Sequence, residues 1–291
     1  MRLVVISGRS GSGKSSALHV LEDLGFYCID NLPIGLLPAL AEQAQADEKL
    51  TRVAVSIDVR NLSDTGAPIN EVLTALPHDQ YQLDVVYLDA SENVLLQRFS
   101  ATRRKHPLTN TDVSLGEAIE REKELLDPIA NMADLTLDTT HMSVHELRSL
   151  IRMRVADKKF GEMSIQFESF GFKHGIPIDA DYVFDVRHLP NPYWDESLRK
   201  FTGLDTEVQL FLNSYDVVSE MRKSVSDFLN QWMDRFIEAN RSYMTIAIGC
   251  TGGQHRSVYL SEQLATEFRM KYSNVQVRHR ELARAEKEPS H

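Results

Sequence analysis

The sequence predicts an α/β protein with two domains, each built around a parallel sheet. The chain has 291 residues, whereas a typical domain has about 100 to 150. In the first half, short apolar runs bounded by turn residues alternate with helical patterns, an order typical of parallel strands covered by helices. The succession of strand, glycine-rich turn and helix occurs near each end of the chain.

The first domain is predicted over residues 1–155. Its predicted strands are Leu3–Ser7, Phe26–Ile29, Val53–Val59, Val85–Asp89 and Leu135–Asp138. A helix from Ser143 to Val155 is expected to close the domain, because Ser143 and Glu146 match a capping box. Its apolar stripe consists of Val144, Leu147, Leu150, Ile151 and Val155.

The second domain is predicted over residues 163–291, after a charged linker at Ala156–Glu162. Strands are expected at Ser164–Phe167, Tyr182–Val186 and Tyr243–Ile248, and helices at Val217–Ala239 and Val258–Lys271. The longer helix carries a row of large apolar side chains, which we assign to the core rather than to a ligand site. They are Val218, Met221, Val225, Phe228, Leu229, Trp232 and Phe236.

Composition excludes several classes of protein. The formal charge of -10 argues against binding nucleic acid or membranes through overall charge, although a local basic patch could still do so. The two cysteines, Cys28 and Cys250, are far apart and show no framework spacing, which favours a reduced, cytoplasmic setting. Because no run of about 18 apolar residues occurs, we expect neither export nor membrane insertion.

The glycine-rich turn near the N-terminus matches the GxxxxGK[ST] pattern of a P-loop. It reads Gly8, Arg9, Ser10, Gly11, Ser12, Gly13, Lys14, Ser15 and stands between a predicted strand and a predicted helix. In such a loop the backbone N–H groups surround a phosphate, the lysine reaches the β- and γ-phosphates, and the serine hydroxyl binds Mg²⁺. The sequence therefore predicts a nucleoside triphosphate site.

A carboxylate at the end of a neighbouring strand is expected beside this loop. Asp58 follows the apolar run from Val53 and is our candidate for holding Mg²⁺ together with Ser15, with Asp89 as the main competitor. Asp30, after the second strand, is a general base, a residue that orients a substrate, or an ordinary turn residue.

A basic cluster lies within Gln97–Pro107 and has two interpretations. Its members are Arg98, Arg103, Arg104, Lys105 and His106. The cluster forms either a lid over the phosphates or a solvated helix end, since runs of charge usually face water.

The second glycine-rich turn, Gly249–Ser257, is predicted to bind a phosphorylated small molecule. Amide groups from Thr251 to His255, a helix N-terminus and the cation of Arg256 would together form an anion site. The spacing of Cys250 and Arg256 also matches the CxxxxxR loop of cysteine-dependent phosphatases. That alternative needs a general acid, for which Asp185 and Asp195 are the candidates.

Together with the two loops, the segments Glu168–Pro177 and Asp181–Arg187 closely resemble the RapZ family of RNase adapter proteins over nearly the whole chain. The resemblance implies an N-terminal P-loop NTPase/kinase-like domain that binds ATP or GTP, and a C-terminal α/β domain resembling part of 6-phosphofructokinase. It further implies a cytoplasmic adapter that senses glucosamine-6-phosphate and presents a small regulatory RNA to RNase E. The adapter would thereby control amino-sugar synthesis. It is also expected to form a homo-oligomer.

The resemblance also implies roles for particular residues. Nucleotide would contact Gly8 to Ser15 and Asp58, Val59, Arg60 and Asn61. The metabolite would contact Lys173, His174, His188, Thr251, Gly252, Gly253, His255, Arg256 and Ser257. RNA would contact the basic residues Arg269, Lys271, Arg278, Arg280, Arg284 and Lys287. Glutamates are interleaved with this last set, and the compact basic cluster typical of enteric members is missing. The alternatives are therefore weaker RNA binding or a protein partner in place of RNA.

A small-molecule kinase or NTPase is the alternative function. The P-loop, Asp58 and an arginine-rich lid are the parts that phosphoryl transfer uses. Slow hydrolysis of ATP or GTP is compatible with either function.

Overall fold

The computed structural model describes residues 1–47, 50–61, 69–76, 81–102, 104–158, 162–239 and 241–285. The chain divides into two compact units, Met1–Phe160 and Gly161–His291. Each unit contains a parallel sheet with helices, so the predicted α/β fold class is confirmed. Within the described residues, no helix combines the length and the apolar character needed to cross a membrane.

The first unit is built on a five-stranded sheet whose strand order is β2-β3-β1-β4-β5. The strands are β1 (Arg2–Gly8), β2 (Tyr27–Ile29), β3 (Arg52–Ser56), β4 (Gln82–Asp89) and β5 (Leu135–Asp138). The helices are α1 (Lys14–Asp23), α2 (Leu37–Ala46), α3 (Ile69–Thr74), α4 (Glu92–Thr102), α5 (Leu115–Ala130) and α6 (Val144–Ile151). The central strand β1 is buried along its whole length, as expected for a parallel sheet with both faces covered.

Several predicted boundaries in this unit differ from the observed ones, and strand β4, for example, begins at Gln82 instead of Val85. Strand β3 ends at Ser56 instead of Val59, because the Asp58 carboxylate accepts the Arg60 N–H and a 3₁₀ turn follows at Val59–Asn61. Helix α6 does begin with the predicted capping box of Ser143 and Glu146, but it passes into a π-helical turn at Arg152–Ala156. Val144 is 58% exposed and so lies outside the buried stripe.

The second unit is built on a four-stranded sheet whose strand order is β7-β8-β6-β9. The strands are β6 (Ser164–Gly171), β7 (Tyr182–Asp185), β8 (Tyr243–Cys250) and β9 (Val275–His279). The helices are α7 (Thr206–Asn213), α8 (Asp216–Glu238), α9 (Arg256–Arg269) and α10 (Arg280–Ala285). All three strand pairs are parallel, so the carboxyl ends of β6, β7 and β8 meet at one edge of the sheet.

The long helix α8 buries less of its apolar row than we predicted. Val218, Val225 and Leu229 lie in the core, whereas Trp232 is 40% exposed. Phe228 is also exposed, although its ring packs edge-on against Tyr182. The assignment of Phe228 and Trp232 to the core was therefore wrong. Both lie to one side of the face that α8 buries, which is centred near Leu229 and extends to Met233.

The close approach of β1 to β4 depends on the absence of a side chain at Gly8. A Cβ atom there would lie 2.0 Å from the carbonyl oxygen of Leu88, and φ at Gly8 is +137°. Both the contact and the dihedral angle exclude any other residue without movement of the backbone.

We expect Gly8→Ala to lower the free energy of unfolding by more than about 2 kcal/mol, through steric overlap and backbone strain together. Urea denaturation followed by far-UV circular dichroism measures this effect. Gly116→Ala is the matched control, since nothing lies within 4 Å of a Cβ atom at that position of α5. A Gly8→Ala protein as stable as the Gly116→Ala protein would contradict the prediction.

Candidate functional site

The first candidate site is the loop between β1 and α1, whose backbone is set by glycines. Gly11 and Gly13 have φ values of +87° and +111°, a region that other residues rarely occupy. A Cβ atom at Gly13 would also lie 2.6 Å from Leu147. Helix α1 begins at Lys14, so the amide groups of its first turn have no partner within the helix and are free to bind an anion.

Two side chains from outside the loop hold its carbonyl groups. Arg98 donates to the Gly11 oxygen at 3.0 Å, and Thr139 donates to the Ser12 oxygen at 2.9 Å. In a planar trans peptide the C=O and the following N–H point in opposite directions. Fixing the Ser12 carbonyl on Thr139 therefore turns the Gly13 N–H to the other side of the loop.

Lys14 is a buried cation held in place by a carbonyl group. Its Nζ donates to the Gly8 oxygen at 2.6 Å and lies 3.9 Å from the Asp58 carboxylate. Burial lowers the pKa of Lys14 below its usual value, and the nearby carboxylates of Asp58 and Glu122 offset this only in part. A phosphate beside Nζ would favour the charged form of Lys14.

Asp58 is better placed than Asp89 to face a ligand of this loop. Burial would raise the pKa of Asp58, but Lys14 and the hydrogen bonds from Arg60 outweigh it and hold the pKa below its ordinary value. Asp89 is instead paired with Arg9 at 2.6 Å. Asp58 therefore lies beside Lys14, whereas the competing candidate Asp89 is paired with Arg9.

The other residues predicted after β3 lie close by. Val59 is buried, Arg60 holds Asp58, and Asn61 donates to the backbone and side-chain oxygens of Asn31. The hydroxyl of Ser56 donates to Asp30, which ties the end of β2 to the end of β3.

A Mg²⁺ ion at this site would need ligands from the nucleotide. Ser15 is exposed at the start of α1, and Asp58 supplies a carboxylate. Among the described residues, no group of three histidine, cysteine or acidic side chains is arranged to hold a metal ion. The arrangement fits the usual protein Mg²⁺ site, in which one or two protein oxygens act with phosphate oxygens and water.

The loop opens into a cavity of about 700 Å³ whose lining includes Ser10–Ser16, Asp58 and Arg60. The basic cluster of the sequence is divided by the fold. Arg98, Arg104 and Lys105 line the cavity, and Arg98 also donates to the loop itself, whereas His106 is buried. Arg103 lies outside the described residues.

The second candidate site lies at the edge of the other sheet where β6, β7 and β8 end. Its loop joins β8 to α9, and Gly253 adopts a φ of +73°. The Thr251 oxygen accepts the Lys173 N–H at 3.3 Å, and the Gln254 oxygen accepts the Gly203 N–H at 2.8 Å. By the same peptide geometry as in the first loop, the N–H groups of Gly252 and His255 point the opposite way.

Two buried side chains of this loop have unpaired nitrogen atoms. His255 and Arg256 are only 6% and 4% exposed, and neither His255 Nε2 nor Arg256 Nε has a hydrogen-bond partner within the described chain. Arg256 Nη1 donates to the carbonyl oxygens of Arg187 and Leu189. Buried polar atoms usually have partners, and these two leave adjacent residues of the loop with nitrogens available to a ligand.

Cys250 lies at the base of the loop. Its Sγ accepts the Gly253 N–H at 3.2 Å and lies 3.1 Å from the Ser257 hydroxyl. Burial would raise the pKa of Cys250, but hydrogen bonds from Ser257 and Gly253 and the charge of Arg256 hold the pKa below its ordinary value.

The acids proposed for phosphatase chemistry are not arranged to donate a proton. Asp185 is locked in an ion pair with Arg187 at 2.6 Å, and Asp195 accepts hydrogen bonds from Ser197. Hydrogen bonds from Arg187 and Ser197, respectively, lower the pKa of both carboxyl groups, which favours their ionised forms. Both groups are thus held as ionised acceptors, whereas the phosphatase alternative needs a protonated acid.

The remaining predicted metabolite residues surround the same loop. Lys173 follows β6 and its Nζ comes within 4.0 Å of a Cβ position built on Gly252. His174 lies 3.6 Å from Glu281, whose side chain packs on Gly253. His188 is exposed between Arg187 and Leu189, the two residues whose carbonyl groups hold Arg256.

The predicted RNA-binding residues do not form one exposed strip. Arg269 and Lys271 are exposed, but Arg278 is paired with Glu168, and Arg280 is buried against Glu281. The expectation of RNA contact by Arg280 is thus corrected, because its guanidinium is used to close α10 onto the end of β6. The Arg284 side chain and Lys287 lie outside the described residues.

Sequence reasoning missed Glu122 and Thr139. Glu122 accepts hydrogen bonds from the backbone and hydroxyl of Ser10, and Thr139 holds Ser12. The only sequence signal for Glu122 was a charge on the otherwise apolar face of α5, beside Ala118 and Leu126. Thr139 gave no signal beyond its place at the end of β5.

Comparison with known proteins identifies relatives over nearly the whole chain. Residues 1–159 match the RapZ-like N-terminal domain, and residues 163–283 match the RapZ C-terminal domain. A protein of Marinobacter nauticus described as "Nucleotide-binding protein" is 57% identical over 285 residues, with 97% of each chain covered. A relative of the same description from Hahella chejuensis is 52% identical over 285 residues, covering 97% of this chain and 100% of the relative.

Solved structures show more distant similarity. A sugar kinase from Janibacter has 22% identity and a TM-score of 0.36, covering 52% of this chain and 92% of its own. Shikimate kinase from Acinetobacter baumannii in complex with shikimate has 19% identity and a TM-score of 0.36, covering 54% of this chain and 94% of its own. The expected likeness of the second unit to part of 6-phosphofructokinase stays a prediction. The two matching domains and the full-length relatives show that the chain belongs to the RapZ family.

Proposed function

We propose that the first unit binds ATP or GTP, together with Mg²⁺, at the loop Gly8–Ser15. The observation that carries this proposal is the buried Lys14 beside a glycine loop that opens into a cavity. Loop amides, the first turn of α1 and Lys14 would contact the phosphates, and Ser15 with Asp58 would hold the ion. The full-length relatives described as nucleotide-binding proteins support this assignment.

Lys14→Ala should weaken nucleotide binding about 100-fold, because a hydrogen bond to a charged group contributes about 1.5 to 3 kcal/mol and each 1.4 kcal/mol is a factor of ten. Isothermal titration calorimetry with MgATP and MgGTP measures the change. Lys123→Ala, an exposed position on α5, is the control and should bind like the wild type. Equal affinity of the Lys14→Ala and control proteins would reject the site.

A small-molecule kinase or NTPase remains the alternative, favoured by the placement of Asp58 beside Lys14 and by Arg104 and Lys105 in the cavity lining. The same variant separates the two functions. If the wild type turns over ATP and GTP no faster than Lys14→Ala with added phosphosugars, phosphoryl transfer is excluded and nucleotide acts as a ligand alone.

The second unit is assigned a phosphorylated amino sugar, glucosamine-6-phosphate. The unpaired nitrogens of His255 and Arg256, both deeply buried beside Thr251–Gly253, support an anionic ligand. Lys173, His174, His188 and Ser257 stand around the same loop and are assigned to the site as well. The choice of an amino sugar rests on family membership.

Arg256→Gln should reduce the affinity for glucosamine-6-phosphate about tenfold or more, since one charge-assisted contact to phosphate is lost. Calorimetry on the full chain measures this, with glucose-6-phosphate and unphosphorylated glucosamine as comparison ligands. Arg235→Gln, exposed on α8, is the control. Binding of glucosamine-6-phosphate that is unchanged in Arg256→Gln would contradict the assignment.

At the level of the cell, the function is that of a cytoplasmic, homo-oligomeric adapter that presents a small regulatory RNA to RNase E according to the phosphosugar it senses. Membership of the RapZ family supports this role. For RNA, the exposed cations Arg269 and Lys271 at the end of α9 are the best placed of the described candidates.

The double variant Arg269→Gln with Lys271→Gln should lower both RNA affinity and its salt dependence. Each lost phosphate contact reduces the slope of log K against log salt by about 0.7 for single strands, so a change of about 1.4 is expected. Filter binding over a salt series measures the slope. The pair Lys223→Gln with Arg235→Gln on α8 controls for net charge, and an equal effect of both pairs would show that no local patch binds RNA.

A further inference from the structure

A buried chain of hydrogen bonds connects the phosphate loop with the basic segment, here defined as residues 104–109. Its centre is Glu122, which is 0% exposed in the middle of α5. One carboxylate oxygen accepts the Ser10 hydroxyl at 2.7 Å, and the other accepts the Ser10 N–H at 2.8 Å. Glu122 therefore fixes both the backbone and the side chain of a loop residue.

The other end of this chain of hydrogen bonds is His106, which is 1% exposed. Its Nδ1 accepts the Leu108 N–H at 3.1 Å, so in the neutral ring the proton resides on Nε2. Nε2 lies 3.1 Å from Glu122 and thus donates to the carboxylate. The His106 carbonyl also accepts from Thr109, and the ring packs against Phe99. The fold of the basic segment thus depends on the position of His106.

Through these contacts, Ser10 and His106 are both hydrogen-bonded to the carboxylate of Glu122. Arg104 and Lys105 directly precede His106 and line the cavity into which the phosphate loop opens. A movement of the Ser10 peptide can reach these cations through Glu122 and His106, without any contact between the cations and the loop. Burying a carboxylate is costly unless its oxygens are hydrogen-bonded, and here three donors satisfy them.

We propose that Glu122 is a positioning residue that couples occupation of the phosphate loop to the placement of the basic segment, through Ser10 on one side and His106 on the other. The proposal rests on the proposed binding of nucleotide in the first unit. A phosphate in the loop fixes the Ser10 peptide, which in turn holds the carboxylate and the imidazole that organise residues 104–109.

Amide hydrogen exchange of the full-length protein tests the coupling. MgATP should slow exchange at Leu108 and Thr109 in the wild type by about threefold or more, because opening of the segment then requires release of a fixed carboxylate. Glu122→Gln keeps an acceptor for Ser10 N–H and His106 and should keep most of the slowing. Glu122→Met is of similar size but has no acceptor, and it should lose the slowing.

His106→Leu gives an independent test, since it cuts the chain on the far side and leaves the bonds between Ser10 and Glu122 in place. It should bind MgATP like the wild type, yet show no nucleotide-dependent change in residues 104–109. If Glu122→Met does not fold, His106→Leu still tests the coupling. Glu124→Gln, exposed on the same helix, is the control and should behave like the wild type.

The outcomes are distinct. If the wild type binds MgATP but exchange in the segment does not change, or if His106→Leu and Glu122→Met both retain the full slowing, the coupling is rejected. If the wild type binds neither MgATP nor MgGTP by calorimetry, the proposed nucleotide site fails first and the coupling with it. Loss of slowing in His106→Leu with affinity intact supports the coupling.

Discussion

The architecture of the first unit depends on the contact between the end of β1 and the end of β4. Gly8 allows the two backbones to approach so closely that a single added carbon would overlap the Leu88 carbonyl. That approach directs the chain out of the sheet at a fixed point, and it leaves the Gly8 oxygen available to accept from Lys14. The loop, the first turn of α1 and the lysine are positioned together as a result.

The same physical solution appears in the second unit with different residues. There the backbone N–H groups of Lys173 and Gly203 donate to carbonyl groups of the loop after β8. In the first unit the side chains of Arg98 and Thr139 donate to the loop carbonyl groups. In both loops, fixed carbonyl groups point outward, so the following N–H groups point inward. Both loops lie at the carboxyl edge of a parallel sheet, where a helix begins. The two sheets share one order over four strands, β2-β3-β1-β4 and β7-β8-β6-β9, but the glycine loop follows the first strand of one unit and the third strand of the other.

Apolar strands and glycine turns were predictable because their signals are local. The runs before Gly8 and before Gly249 predicted β1 and β8, and the glycine spacing predicted both loops. What the sequence left open depends on distant partners. Glu122 contacts Ser10 across 112 positions of the chain, and no periodicity links the two. Arg280 was assigned to an exposed tail for the same reason, since only the fold brings it to Gly171 and Glu281.

The cations of the two candidate sites support the proposal that each site binds an anion. Among the described residues, the hydrogen bonds from Arg256 go to neutral oxygens, namely the carbonyl groups of Arg187 and Leu189 and the hydroxyl of Thr251. Carbonyl groups orient a guanidinium without neutralising it, so its charge stays unbalanced in a buried setting. Lys14 differs in having Asp58 at 3.9 Å, but that carboxylate is shared with Arg60. At Arg256 a bound phosphate would supply a negative charge that its hydrogen-bond partners lack, and at Lys14 it would add to the charge that Asp58 supplies.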